Sequence, residues 1–248
     1  MSTLRLVHLF PDLLNLYGDY ANLLVLQREL TAMGAEVEIV PFTGEEDFDF
    51  SETSLVYAGP GTERRIGYAL ERLEPFREKL SSAREEGVFF LFCGSGAELP
   101  AQKIILPNGE SIQGLGLAPY NIRRTEKRQT GDCLMVSGLS EKLVVGFLNK
   151  SGSMEGVPQP FFRMRLGEGG IIDEKGQPTK TEGYADQSFL ATYCIGPLLS
   201  KNPWLRKLVA SKLFDRAFPG KTPLVVPQDV SETAYQITAD SLSRRLGT

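Results

Sequence analysis

The chain has 248 residues, of which 42% are hydrophobic and 23% are charged. This composition is ordinary for a soluble globular protein and supplies enough apolar side chains for one large domain, or for one domain with a tail. The net charge of −4 argues against nucleic acid or an anionic membrane as the main partner, because binding phosphates needs a basic surface. Short basic clusters such as Arg64–Arg65 and Lys127–Arg128 are typical of a solvated face.

The first half of the chain alternates predicted strands with predicted helices. Four apolar or alternating runs have the length of strands: Leu4–Leu9, Glu36–Pro41, Ser54–Tyr57 and Val88–Phe92. Two amphipathic stretches have the period of helices: Tyr20–Met33 and Ile66–Glu86. Gly34 and Gly87 end these helices, and Pro75 predicts a break in the second. The alternation predicts an α/β fold with a central, mostly parallel sheet flanked by helices.

The pattern changes after Pro100, where Gly, Pro and Asn separate short strand-like pieces. The clearest of these pieces are Leu134–Ser137, Leu143–Phe147 and Phe189–Tyr193. A helix is predicted from about Pro203 to Phe218, with proline acceptable in its first turn. We therefore expect one domain over residues 1–218 and a segment over residues 219–248 that comprises a linker and a polar C-terminal helix or disordered tail.

Targeting signals and cysteines indicate the compartment. The stretch Met1–Phe10 runs into a predicted strand without a signal-peptide cleavage site, and no apolar run reaches the ~20 residues that a membrane span needs. Cys93, Cys133 and Cys194 have no metal-ligand spacing and cannot all pair. These features predict a reduced, cytoplasmic protein with no membrane span, no metal and no cofactor.

Cys93 carries the strongest functional signal. It follows the strand Val88–Phe92 directly and precedes Gly94-Ser95-Gly96, where we expect a helix to begin. A nucleophile on a tight strand-to-helix turn projects above the carboxyl edge of the sheet, where ligands bind in α/β folds. The helix N-terminus favours a thiolate and a developing oxyanion. The alternative is a buried structural cysteine, which is the commoner case without further support.

A glycine turn adds that support. Gly59-Pro60-Gly61 follows the strand Ser54–Tyr57, so it should lie at the same sheet edge as Cys93. The N–H groups of Gly61 and Gly94 are therefore the candidates for an oxyanion hole, whereas Pro60 has no N–H to donate. Taken alone, the segment is equally consistent with a plain β-turn.

Several different short motifs follow one another along residues 3–218. They are His8–Asp19, Gly59–Arg64, Phe92–Gly94, Pro107–Glu110 with Gly114–Gly116, Arg128 with Thr130–Asp132, Gly146–Phe147 with Asn149, and Thr192–Tyr193 with Gly196–Leu199 and Lys201–Pro203. Together they resemble the glutamine amidotransferase subunits of lipid II isoglutaminyl synthases (GatD-like), relatives of the cobyric acid synthase (CobB/CobQ-like) amidotransferase domains.

The resemblance implies a class I glutamine amidotransferase-like (flavodoxin-like) fold that hydrolyses glutamine, or a related carboxamide, at a Cys–His pair with Cys93 as the nucleophile. The ammonia would pass to a Mur-ligase-like (MurT-like) synthetase subunit, which uses ATP to amidate the D-glutamate of the lipid II stem peptide. Arg128 matches a family arginine that handles the glutamine substrate; a surface arginine in a basic stretch is the alternative.

The family's catalytic histidine is missing. The resemblance gives its position to Ile195, and the only histidine, His8, matches a different family position. Ala97 and Lys150 likewise replace a glutamine and a histidine of the family pattern. A thiol that attacks a carboxamide needs a base and then an acid, a contribution of ~10²–10⁴ in rate that isoleucine cannot make.

Other residues are weak substitutes for that histidine. Neighbouring side chains of a strand face opposite sides, so Cys194 is assigned to the core, as is Cys133. His8 serves as a base only if the fold brings it near Cys93. Three functions stay open: a glutaminase subunit whose base is water, His8 or a partner residue; a non-catalytic binding or regulatory protein of amidotransferase fold; and a different cysteine enzyme on the same scaffold.

Overall fold

The computed structural model describes residues 3–45, 47–226 and 230–246. Its first half matches the predicted alternation to within a few residues. The elements in chain order are β1 (Leu4–Leu9), α1 (Ala21–Ala32), β2 (Val37–Phe42), β3 (Leu55–Ala58), α2 (Glu63–Leu73), α3 (Arg77–Glu85) and β4 (Phe89–Cys93). A 3-10 turn at Glu74–Phe76 separates α2 from α3, which confirms the break at Pro75. Gly34 and Gly87 have φ of 94° and 83°, the left-handed conformation that ends a helix.

The second half contains longer strands than the sequence predicted. Its strands are β5 (Lys103–Ile105), β6 (Ser111–Gln113), β7 (Asn121–Ser137), β8 (Ser140–Glu155), β9 (Pro160–Leu166), β10 (Ile171–Ile172), β11 (Thr181–Ala185), β12 (Phe189–Thr192) and β13 (Cys194–Ile195). The short pieces predicted at Leu134–Ser137 and Leu143–Phe147 are only parts of β7 and β8. These two strands pair antiparallel, so the ladder satisfies the backbone of their polar, exposed residues, whose side chains gave no strand signal.

One sheet joins both halves in the order β10-β8-β7-β9-β11-β12-β4-β3-β1-β2. The strands from β12 to β2 run parallel, and the ladders that connect β7, β8, β9, β11 and β12 are antiparallel. The α/β class with a large central sheet is thus confirmed. All five residues of β4 are buried because the strand lies between β3 and β12.

Three helices complete the chain: α4 (Leu198–Lys201), α5 (Pro203–Ala217) and α6 (Val230–Arg244). The helix α6 covers a small apolar cluster on the second half of the sheet, where Ala239 and Leu242 pack against Leu134 and Val145. The predicted C-terminal segment is therefore helical over α6, and the domain boundary at residue 218 stays a prediction. None of the helices in these described ranges has both the length and the hydropathy that crossing a bilayer requires.

Candidate functional site

Cys93 ends β4 at the carboxyl edge of the parallel strands, as the sequence predicted. Its backbone is extended, with φ −115° and ψ 148°, and the sharp turn is made by Gly94, whose φ is +59°. Only glycine adopts that conformation readily. A 3-10 helix at Gly94–Glu98 follows instead of an α-helix. Because few peptide dipoles align in so short an element, the electrostatic support for a thiolate is weaker than we expected.

The Cys93 side chain is enclosed. Its exposed fraction is 0%, whereas the sequence led us to expect a thiol projecting into an open crevice. A Cβ atom added at Gly94 would lie 2.8 Å from Ile195 Cγ2 and 2.8 Å from Pro60 Cβ, so these two side chains close over the turn. The prediction that the Cys93 thiol is open to solvent is therefore wrong.

The turn Gly59-Pro60-Gly61 lies against the turn that follows Cys93, as expected from the place of both turns at the same sheet edge. A Cβ atom added at Gly96 would come within 2.6 Å of the Gly59 carbonyl oxygen. However, the Gly61 N–H donates to Ser95 Oγ at 2.9 Å, and this hydroxyl in turn donates to the Gly61 carbonyl at 2.7 Å. An oxyanion would have to displace Ser95 from the Gly61 N–H. The assignment of Gly61 and Gly94 to an oxyanion hole stays a prediction.

Three buried polar side chains lie near the sulfur, and with Cys93 they form what we call the thiol cluster: Asp19, Asn22 and Tyr57. Asn22 Nδ2 lies 4.0 Å from Cys93 Sγ and donates to Asp19 Oδ2 at 3.0 Å. Tyr57 donates its hydroxyl proton to the same carboxylate oxygen at 2.6 Å. Asn22 Oδ1 accepts the Leu199 N–H at 2.7 Å, which ties the cluster to the start of α4. All four members are buried.

The electrostatics of the thiol cluster oppose ionisation of the thiol. Burial raises the pKa of Cys93 well above its ordinary value, and the negative charge of Asp19 raises it further. Burial also raises the pKa of Asp19 to about 6, although hydrogen bonds from Tyr57, the Gly196 backbone and Asn22 act in the opposite direction. A histidine partner would become a cation and stabilise a thiolate, whereas a carboxylate keeps the thiol protonated.

His8 lies close to the thiol cluster without reaching the sulfur. The strand β3 lies between β1 and β4, and the His8 ring packs against Tyr57 with ring centroids 5.2 Å apart. Burial lowers the pKa of His8 to about 4, so the imidazole is neutral at pH 7. Its Nε2 atom is buried and has no hydrogen-bond partner within the described ranges. The prediction that His8 replaces the missing base stays untested.

Ile195, which stands where the resemblance puts the histidine, does lie beside the turn at Gly94. Cys194 and Cys133 are buried, and their sulfurs lie 3.8 Å apart across Gly146, in agreement with a core role. Among the residues that the structure describes, no group of three or more His, Cys, Asp and Glu side chains is placed to hold a metal ion.

Arg128 lies on the rim of this sheet edge. Its guanidinium donates to Asn149 Oδ1 at 3.0 Å and pairs with Glu63, the first residue of α2. Both charged side chains are more than 40% exposed. None of these bonds reaches Cys93, so the structure brings Arg128 to the rim without joining it to the thiol. Its assignment to substrate binding stays a prediction.

Sequence reasoning missed most of the thiol cluster. Asp19 was noted only as the end of a motif, Asn22 as part of a helix, and Tyr57 as part of a strand. The available signal was a pair of polar residues three positions apart, Asp19 just before α1 and Asn22 on its buried, mostly apolar face. The occupancy of the Gly61 N–H by Ser95 had no signal in the sequence.

Comparisons with known proteins agree with the fold and the motifs. The sequence profile of the CobB/CobQ-like glutamine amidotransferase domain matches residues 5–203. The GatD subunit of a lipid II isoglutaminyl synthase (glutamine-hydrolyzing) from Staphylococcus aureus strain N315 is 26% identical over 245 residues, which cover 99% of this chain and 98% of that protein. The corresponding subunit from Streptococcus pneumoniae strain R6 is 27% identical and covers 98% of this chain and 88% of its own length.

Solved structures share the fold. A glutamine amidotransferase from Thermotoga maritima superposes with a TM-score of 0.53 at 11% identity and covers 98% of this chain and 97% of its own. The glutaminase domain of Trypanosoma brucei CTPS, solved with bound acivicin, superposes with a TM-score of 0.51 at 11% identity, covering 91% and 98%. At these identities the likeness extends to the fold alone.

Proposed function

The chain belongs to the CobB/CobQ-like glutamine amidotransferase family, and from this premise we propose that it is the amidotransferase-type subunit of an assembly that amidates lipid II, and that it does not hydrolyse glutamine itself. The similarity to two lipid II isoglutaminyl synthase subunits over nearly the whole chain supports the first part. The partner would be a Mur-ligase-like synthetase in the cytoplasm that draws on free ammonium.

One observation supports the second part: the Cys93 thiol is buried near Asp19, and Ile195, at the position where the resemblance puts the histidine, lies beside the Gly94 turn. The raised pKa keeps the Cys93 thiol protonated at pH 7. Moving the proton to Asp19, whose carboxyl has a pKa of about 6, is uphill because the acceptor is far more acidic than the thiol. Proton transfer from Cys93 to Asp19 therefore does not supply the thiolate nucleophile.

The test is amidation of lipid II by the full chain together with its synthetase partner, supplied either with glutamine or with ammonium chloride. We expect ammonium to support amidation and glutamine to support none. Release of glutamate from glutamine should be the same in the wild-type chain and in Cys93→Ala. A glutamate release that Cys93→Ala abolishes would refute the proposal and restore the glutaminase alternative.

Two further measurements separate the remaining alternatives. If the chain is a different cysteine enzyme, a general thiol reagent should label Cys93 faster than Cys133 and Cys194, while a glutamine-analogue electrophile leaves it unlabelled. Slow, equal labelling of all three thiols is what the proposal predicts. Partner binding, measured by calorimetry, should be unchanged in Cys93→Ala, because the thiol is enclosed and touches no surface.

A further inference from the structure

A cavity of about 720 Å³ opens in the antiparallel half of the sheet, away from the thiol cluster. Its walls are the β7–β8 ladder, from Thr125 to Asp132 and from Leu148 to Ser153, and the segment from Gly167 to Lys180 that joins β9 to β11. Cys93 does not line it. We call this space the lysine cavity, after Lys127, Lys150 and Lys180 in its wall.

The ammonium group of Lys150 lies in this wall in an unusual environment. The side chain is only 5% exposed, and its Nζ donates to neutral groups alone, to the Gly152 carbonyl at 3.2 Å and to Ser153 Oγ at 3.1 Å. Nζ also lies 5.4 Å from the centre of the Tyr193 ring. Within the described ranges no carboxylate comes within 4 Å of it. Burial lowers the pKa of Lys150, and the negative charges of Glu182, Glu168 and Glu98 act in the opposite direction.

The other charges of the lysine cavity leave an excess of positive charge. Asp132 is paired with Arg245 at 2.5 Å, and Arg128 is paired with Glu63, so these two lining residues are neutralised. Of the lining side chains that remain, Lys127, Lys150 and Lys180 are cationic, and Glu168, which accepts a hydrogen bond from Gln129 at 3.0 Å, is anionic. Glu182 and Glu98 also act on Lys150 but do not line the cavity. A local excess of cations in a protein of net charge −4 indicates a site for an anion.

The chemistry of the wall distinguishes between classes of anion. Arginine forks bind carboxylates in pairs of parallel hydrogen bonds, and the one guanidinium here is already occupied by Glu63 and Asn149. The remaining cations are compact ammonium groups, accompanied by the hydroxyls of Thr125, Thr130, Ser151 and Ser153. Lysine ammonium groups with several hydroxyl donors suit the many oxygens of a phosphate.

We propose that the lysine cavity binds a phosphate or diphosphate group, with Lys150 at its base and Lys127 and Lys180 at its mouth. No residue of the thiol cluster lines the cavity, so this inference stands whether or not the chain hydrolyses glutamine. The phosphate group belongs either to a free inorganic anion or to a nucleotide.

The experiment is isothermal titration calorimetry of the full chain with inorganic phosphate, inorganic pyrophosphate and ADP in separate titrations. We expect saturable binding at one site that weakens as salt concentration rises, because the contacts are ionic. Tighter binding of ADP than of pyrophosphate would assign the group to a nucleotide, and the reverse order to an inorganic anion. Lys150→Met keeps the aliphatic packing and should weaken binding at least about tenfold.

Lys142→Met is the matched control, because Lys142 is exposed on the same strand outside the cavity, and its binding should equal that of the wild type. Melting temperatures report whether each variant is folded. Lys180→Gln, at the exposed mouth, gives a second variant that does not alter the interior. Absence of saturable binding to all three ligands, or binding that neither Lys150→Met nor Lys180→Gln weakens, would overturn the proposal.

Discussion

The thiol cluster and the lysine cavity each bury an ionisable group near negative charge, and that charge has opposite consequences in the two places. Cys93 lies beside the carboxyl of Asp19, in a space closed by Ile195 and Pro60. Lys150 lies beside an open cavity whose wall carries two further lysines. Burial alone therefore does not produce a reactive or binding group. The negative charge of Asp19 favours the neutral thiol, whereas the carboxylates near Lys150 favour its ammonium form.

The largest expected effect on stability comes from substituting one of two arginines of β7 that lie near these regions. Arg124 pairs with Glu98 at 2.7 Å with both side chains at most 7% exposed, whereas the pair of Arg128 and Glu63 is more than 40% exposed. Arg124→Ala leaves a buried carboxylate unpaired and should lower the free energy of unfolding by about 3–5 kcal/mol. Arg128→Ala should lower it by less than about 1 kcal/mol. Urea unfolding measures both, and equal losses would contradict the distinction.

The pH dependence of stability tests the environment of His8. Its pKa is lowered from 6.5 to about 4, so the folded state favours the neutral imidazole. The resulting stability is present above pH 6.5 and is lost as pH falls towards 4, a total of about 3 kcal/mol. His8→Gln removes this dependence. The free energy of unfolding of the wild type should therefore fall relative to the variant between pH 7 and pH 4; parallel curves would show that His8 is not buried as a neutral ring.

Asp19→Asn should reveal a pH dependence of the free energy of unfolding that is opposite in sign to that of His8. The pKa of Asp19 is raised from 3.8 to about 6, so the folded state favours the protonated carboxyl. The wild type is penalised as pH rises from about 4 to above 6, by about 2–3 kcal/mol. The variant should thus be more stable than the wild type at pH 8 and equal to it near pH 4. Chemical unfolding at the two pH values measures this, and a variant less stable at pH 8 would refute the assigned burial cost.

The smallest expected effect comes from two glycine-to-alanine substitutions, which compare how tightly the two regions are packed. A Cβ atom added at Gly96 would lie 2.6 Å from the Gly59 carbonyl and 2.7 Å from that of Ala58, whereas one added at Gly131, in the wall of the lysine cavity, meets no atom within 4 Å. Gly96→Ala should lower the free energy of unfolding by about 1–3 kcal/mol. Gly131→Ala should change it by no more than about 0.5 kcal/mol. A tolerated Gly96→Ala would show that the turn beside Cys93 has room to open.

Local patterns in the sequence were enough to predict the parallel half of the fold. The apolar runs at β1, β3 and β4 and the glycines after α1 and α3 predicted the order, type and approximate bounds of those elements. Strand order also predicted that Cys93 lies at the end of a strand and that the turn Gly59-Pro60-Gly61 lies next to it. In contrast, the length of β7 and β8 was underestimated because their polar residues owe their extended conformation to cross-strand pairing.

By itself the sequence determined the family of the chain, the place of Cys93 on the sheet edge and the isoleucine at position 195, where the resemblance predicts a histidine. Only the tertiary structure decided that the thiol is enclosed, that Asp19 and Tyr57 are its neighbours, and that Lys150 is a buried cation beside an open cavity. These are contacts between residues tens of positions apart in the chain. Burial and charge at a site arise from such contacts, and no local pattern encodes them.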